Sequence, residues 1–157
     1  MTILITGIAG FIGSNTAKKL LERGDKIIGI DNFNDYYDPA LKEKRISEFL
    51  ADYDFKLYRI DIANEVALAK VFEENKIDKI CHLAAQAGVR YSLTNPDIYL
   101  QANIIGTNNL LEMVHKYNIN NFVFASSSSV YGGNTKIPFS ESDNVDTPIS
   151  LYAAPKK

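Results

Sequence analysis

A doubly wound α/β fold built on a parallel sheet is predicted for this 157-residue chain, on three observations. Short apolar, β-branched runs alternate five times with longer amphipathic ones. The first run ends in a glycine-rich turn, and later runs end in acidic or small residues. The segments between runs are long enough for crossovers, which parallel neighbours need and hairpins do not.

The elements follow in order. Thr2 to Thr6 (TILIT) is a compact apolar run closed by glycine, as suits a strand buried on both faces. Phe11 to Arg23 carries Ile12, Thr16, Ala17, Leu20 and Leu21 at helical spacing, with Lys18, Lys19, Glu22 and Arg23 turned outward and Gly24 as the stop. Lys26 to Ile30 is a second strand ending at Asp31. The polar and aromatic loop NFNDYYD leads to Pro39, which suits the first turn of a helix running to about Ala51. Phe55 to Ile60 is a third strand ending at Asp61, and Asn64 caps a helix with Leu68, Val71 and Phe72 on one face. Lys79 to Leu83 is a fourth strand. Asn95-Pro96 opens a long helix to about Tyr117, in which Tyr99, Asn103, Gly106, Thr107, Leu110 and Val114 share a face. Asn121 to Ala125 is a fifth strand, running into SSSSVYGG.

Composition narrows the function. The chain is 46% hydrophobic and 23% charged, with 17 basic against 19 acidic side chains for a net charge of −2, which fits one globular unit. Without a block of like charge, neither nucleic acid nor an anionic membrane is expected as the main partner. No apolar stretch is long enough to span a bilayer. The apolar N-terminus carries no basic leader, so a cytoplasmic location is expected. One cysteine, Cys81, rules out an internal disulfide, and with only His82 and His115 a structural zinc site is not expected. These three side chains read as structural.

In doubly wound sheets ligands sit beyond the C-terminal strand ends, where the unusual residues of this chain cluster. The first turn reads Gly7-Ile8-Ala9-Gly10-Phe11-Ile12-Gly13. Gly7 permits the turn, Gly10 leaves room for a pyrophosphate against the backbone, and Gly13 lets the helix lie close to the sheet. The setting between a buried strand and an amphipathic helix is the one a dinucleotide site demands. Asp31 either accepts from an adenosine ribose or is a turn aspartate; an acid there repels a 2′-phosphate and the following NFN has no arginine, so NAD is expected rather than NADP. Asp61-Ile62 either frames the adenine edge or ends a strand and caps the next helix. Leu83, Ala84 and Ala85 leave room for a cofactor, or pack in the core. Tyr152 and Lys156 are four apart, so on a helix they share a face and the ammonium can stabilise a tyrosinate. The hydroxyls of Ser126 to Ser129 either serve a substrate alcohol beside that tyrosine or bond locally.

The ordered set of GxxGxxG, Asp31, Asp61-Ile62, HLAA (His82 to Ala85), Asn103-Ile-Ile-Gly-Thr, SSSSVYG and YxxxK resembles the extended short-chain dehydrogenase/reductase family of nucleotide-sugar epimerases and dehydratases, over the whole chain. The resemblance implies Tyr152 as catalytic base for a sugar C4 hydroxyl and Lys156 as its electrostatic modulator and a ribose ligand. It implies Ser127, three before Val130, as the hydroxyl partner, with Ser128 beside it in the substrate site. It also carries Phe11, Ile12, Asn32 and Asn103 into the NAD site and implies a UDP-sugar substrate, transient C4 oxidation and a homodimer. Dehydratases of the family follow the catalytic hydroxyl with Asp and Glu; Ser128 and Ser129 stand there instead, which favours epimerisation. DNFNDYYDPALKEKR (Asp31 to Arg45) and AAQAGVRYS (Ala84 to Ser92) look like UDP-glucuronate 4-epimerases. Arg90 is either a ligand of a substrate phosphate or carboxylate, or a solvated loop residue.

Two departures are evident. Pro155 stands where the family has Ser or Thr; it costs little in a first helical turn and kinks a helix that begins earlier. Family members also continue for roughly as many residues again, so residues 1–157 are expected to be an NAD-binding unit without its substrate domain, its fifth strand an open edge. Three readings follow: the N-terminal part of an epimerase, inactive alone; an NAD-binding module without catalysis; and a folded unit that serves only association.

Overall fold

The computed structural model describes residues 1–157. Five strands, β1 (Thr2–Thr6), β2 (Lys26–Asp31), β3 (Lys56–Arg59), β4 (Lys79–His82) and β5 (Phe122–Phe124), form one parallel sheet in the order β3-β2-β1-β4-β5. The chain steps outward from β1 to β3 and then returns to lay β4 on the other side of β1. That reversal opens a crevice at the C-terminal strand ends, where Thr6 sits level with Ile30 on one side and His82 on the other.

Alternation along each strand divides the core in two. Leu4, Ile28, Ile30 and Ile80 face Leu68, Val71 and Phe72 of α3 (Glu65–Glu74 in chain order) and Leu110 and Met113 of a later helix. Ile3, Ile5 and Ile27 face Ala17 of α1 (Phe11–Glu22) and Leu50, which follows α2 (Pro39–Lys44) and its continuation as a π turn, Arg45–Phe49. The remaining helices are α4 (Val89–Thr94), α5 (Pro96–Tyr99) and α6 (Gly106–Lys116), the last two joined by a π segment, Leu100–Ile105. No helix is long and apolar enough to cross a membrane.

Several expected boundaries shift. Strands three to five are each shorter than their apolar runs, and the helix expected to Ala51 stops at Phe49, with Leu50 turned into the core. Ile12, expected on the inner face of α1, is 63% exposed, because the helix rests on the sheet through Gly13, Ser14 and Ala17, a step round its axis. The long helix is one continuous path with a widened middle turn, and Tyr99, Asn103, Gly106 and Leu110 do share its buried face. α4 (Val89–Thr94) begins within the AGVRYS stretch, so Arg90 lies on a helix and not in a loop. The YxxxK segment is not an α-helix: Leu151 to Ala153 form a turn and Ala154–Lys156 one 3₁₀ turn. Pro155 has no N–H to give to the Leu151 carbonyl, so the i to i−4 ladder stops there. β5 is an edge strand, with Val123 56% exposed.

Candidate functional site

The glycine turn is fixed by close backbone approach. Gly7 has φ +72°, and a Cβ there would lie 2.8 Å from the Ala84 nitrogen; at Gly13 it would lie 2.0 Å from the Gly7 carbonyl oxygen. No side chain caps α1, and its first turn holds no acid, so the main-chain N–H groups at Phe11 and Ile12 are placed to meet an anion at a positive helix end.

A cavity of about 170 Å³ opens beside this turn, lined by Gly7, Gly10, Asp31, Asn32, Asp61, Ile62 and the 83–87 segment among others. Asp31 is 6% exposed and tied at both oxygens: Oδ2 accepts from the Ala9 N–H at 3.1 Å and Oδ1 from the Phe33 N–H at 2.9 Å. Lys42 Nζ lies 3.5 Å from Oδ1. Asn32 donates to Asp61 Oδ2 at 2.9 Å, while Asp61 Oδ1 accepts from the Ala63 N–H, so Asp61 closes its turn and lines the cavity at once. Arg45, one strand away in sequence, donates to the Ala9 carbonyl at 3.1 Å and to the Tyr37 hydroxyl at 2.8 Å, clamping the 32–38 loop to the glycine turn.

At the end of β4, Thr6 Oγ1 accepts from the Leu83 and Ala84 N–H groups, at 3.2 and 3.1 Å. Its single proton therefore goes to His82 Nδ1, 2.7 Å away, which leaves the ring proton on Nε2 to donate to Thr107 Oγ1 at 3.0 Å. Burial, with the Lys156 charge as a lesser cause, pushes the imidazole pKa down to about 4. His82 is thus a neutral strut that holds the cavity wall. Asn103 spends its amide on the main chain of Gln86, donating at 2.9 Å and accepting at 2.8 Å; it positions the 83–87 segment from behind instead of reaching into the cavity. The Tyr99 hydroxyl lies 2.6 Å from both the Ala87 and Gly88 carbonyls, and the Tyr36 and Tyr91 rings pack with centroids 5.2 Å apart, joining the 32–38 and 86–91 segments at the rim. Arg90 is exposed on α4, outside the cavity lining.

The serine run and the Tyr152 segment meet at the end of β5. Lys156 is 5% exposed; its ammonium donates to the Ala125 carbonyl at 2.9 Å and lies over the Phe124 ring, and burial lowers its pKa. Ser126 Oγ donates to the Lys156 carbonyl at 2.5 Å. Tyr152 is half-buried, its ring edge-on to Tyr99 at 6.1 Å. Ser127 bonds locally, donating to Ser129 Oγ and accepting from the Ser129 N–H to cap the 3₁₀ turn of Ser128–Tyr131, and Ser128 is exposed. Motif spacing pointed to Asp31, the glycines and Lys156. It had no means of finding Lys42, Gln86, Tyr36 or Tyr99 in the roles they have here, because their partners are set by the fold.

These residues fit an extended dinucleotide. The turn is bare of side chains where a phosphate would approach, the acid stands at the rim, and the wall is made of small residues. Gln86, 2% exposed on that wall, has a buried Nε2 without a hydrogen-bond partner, a donor that a bound polar group would satisfy.

Comparison with known proteins agrees. The sequence profile of GDP-mannose 4,6 dehydratase matches residues 4–157. The chain belongs to this family. Within the GDP-mannose 4,6 dehydratase family, a branch of the extended short-chain dehydrogenase/reductases, it is 52% identical over its full length to Protein CapI of Staphylococcus aureus and 49% identical over 98% of its length to a UDP-glucuronate 4-epimerase of Thermodesulfobacterium geofontis. It covers 47% of each, so the chain spans about half the length of these relatives. Among solved structures of related fold, the UDP-glucuronic acid 4-epimerase of Bacillus cereus, in complex with UDP-glucuronic acid and NAD, matches 99% of the chain at 36% identity with a TM-score of 0.88. The UDP-Glc/GlcNAc 4-epimerase of Campylobacter jejuni matches at 32% identity and 0.89. The chain covers 49% and 45% of those two.

Proposed function

We propose that residues 1–157 form the NAD-binding, tyrosine-bearing half of a UDP-sugar 4-epimerase of the UDP-glucuronate type. The observation that carries this reading is the meeting, at one end of the sheet, of a bare glycine turn, the buried Asp31 and the Tyr152–Lys156 segment stitched to the end of β5. In this reading Gly7, Gly10, Phe11, Ile12 and Gly13 offer main chain to the pyrophosphate, and Asp31 and Asn32 hold the adenosine ribose. Asp61 and Ile62 border the adenine, and Leu83, Ala84 and Ala85 give the cofactor a flat wall. Bound NAD supplies a reversible hydride acceptor for the sugar C4.

The chain's own residues handle the proton. Tyr152, as tyrosinate, accepts it from the C4 hydroxyl and returns it after the sugar turns over; Lys156 stabilises that negative phenolate oxygen. Ser127 gives its hydroxyl to the C4 oxygen once its bond to Ser129 is exchanged. Ser128 and Arg90 belong to the substrate side of the same reading. Neither Ser128 nor Ser129 can protonate and deprotonate a sugar as a carboxyl does, which favours epimerisation over water elimination. A cytoplasmic homodimer completes the proposal, and the exposed Leu100, Ile104, Ile105 and Leu111 supply an apolar face for it.

The test is a chimera in which this chain precedes the second half of the Bacillus cereus enzyme. It should interconvert UDP-glucuronate and UDP-galacturonate, and Tyr152→Phe should abolish turnover while NAD binding and circular dichroism stay unchanged. Full turnover in Tyr152→Phe, or a folded, NAD-loaded chimera that turns over neither sugar, would overturn the reading.

A further inference from the structure

α2 is inverted relative to an ordinary surface helix. Its only buried side chain is Lys42, 5% exposed, whereas the neighbouring Leu41 is 48% exposed. A helix that turns its lysine in and its leucine out is not oriented by the hydrophobic effect. Burying an ammonium is unfavourable unless its donors find partners, and here they are only partly used. Lys42 Nζ makes one short bond, to Asn34 Oδ1 at 2.8 Å; the Asp31 carboxylate is at 3.5 Å and the Tyr37 ring centroid at 5.2 Å. Three N–H donors and one short bond leave capacity, and the side chain is part of the cavity wall.

We propose that Lys42 is a ligand of the adenosine ribose: its ammonium donates to a ribose hydroxyl oxygen while Asp31 accepts from a ribose hydroxyl. The inference rests on the NAD-binding reading above and adds to it the residue that supplies the complementary donor. A hydroxyl both donates and accepts, so an acid alone uses half of its capacity, and an acid–ammonium pair 3.5 Å apart matches two vicinal hydroxyls. Asn34 then acts as the positioning residue that holds the ammonium at the wall. Arg45, bonded to Ala9 and Tyr37, keeps the loop between Asp31 and Lys42 in place.

The experiment compares ADP with 2′,3′-dideoxy-ADP on the 157-residue chain, with NAD+ as the reference ligand. Lys42→Met and Lys42→Gln should each weaken ADP and NAD+ by about tenfold or more, as expected for loss of a charged hydrogen bond, and leave the dideoxy nucleotide within about twofold of the unmodified chain. Independently of either variant, the side-chain NMR resonances of Lys42 in the unmodified chain should move on adding ADP and stay in place on adding the dideoxy nucleotide. Equal losses for both nucleotides, unchanged ADP affinity, or Lys42 resonances that respond identically to the two would overturn this inference alone. Failure of the unmodified chain to bind NAD+ and ADP at millimolar concentration would overturn the NAD reading itself, and this inference with it.

Discussion

Asp31 accepts one main-chain N–H on each carboxylate oxygen, with Lys42 Nζ 3.5 Å from Oδ1, and Oδ2 keeps a lone pair for a ligand. Asn at this position keeps the shape but turns an NH₂ toward one of those N–H groups. Asp31→Asn should therefore lower NAD+ affinity by about 10- to 100-fold, the range of a charge-assisted hydrogen bond. It should also cost about 1–3 kcal/mol in urea unfolding for the buried group left unpaired. An affinity within twofold of the unmodified chain would remove Asp31 from the site. Asp31 was legible from its place after the second strand, because a strand end followed by a turn positions an acid whatever the rest of the fold does. The Thr6–His82–Thr107 relay was not, since its first two members are 76 residues apart and meet only when β4 returns beside β1. The two bonds from Asn103 to the Gln86 main chain could not be read from its motif either, since the partner lies 17 residues away.

Among the elements, those with strong periodicity were legible: α1 and α3, the capping of α3 by Asn64, and all five strands to within a residue or two. α4 was hidden because VRYSLT is six residues long, follows Gly88 and precedes Asn95-Pro96, so its helical period never repeats. The YxxxK segment failed in the other direction. Its spacing suggested a helix, and Pro155 ended the hydrogen-bond ladder before one could form. α5 is held to the cavity rim by the Tyr99 hydroxyl, shared between the Ala87 and Gly88 carbonyls. Tyr99→Phe keeps the ring, and with it the edge contact to Tyr152, but leaves those carbonyls without their donor. A loss of about 1–2 kcal/mol in urea unfolding is expected, along with faster amide exchange in the 86–91 segment. Unchanged exchange there would show that the hydroxyl does not order the rim.

Over the whole molecule, the reversal of strand order gathers the glycine turn, Asp31, Asp61 and the 83–87 wall around one cavity; the alternation of elements gave the doubly wound class and the sheet end where ligands sit, while the strand order and the place of Asp61 and Leu83–Ala85 in the wall came from the structure. The cavity wall also sets a pH dependence. His82 is held neutral in the fold, with its pKa down to about 4 from 6.5. Below pH 6.5 the unfolded chain takes up a proton that the folded chain refuses. The stabilisation is therefore complete above 6.5 and declines as pH falls toward 4, by up to about 1.4 kcal/mol per pH unit. Urea unfolding at pH 7.5 and pH 5 should show the unmodified chain losing about 2 kcal/mol more than His82→Gln, since the glutamine has no such proton to refuse. Equal losses would show that the imidazole is not the group responsible.

A dinucleotide site at this sheet end is open to calorimetric titration of NAD+ into the 157-residue chain. A saturable one-site isotherm, competed by ADP, is the predicted result. A chain that is folded by circular dichroism and gives no binding heat at millimolar NAD+ would contradict it.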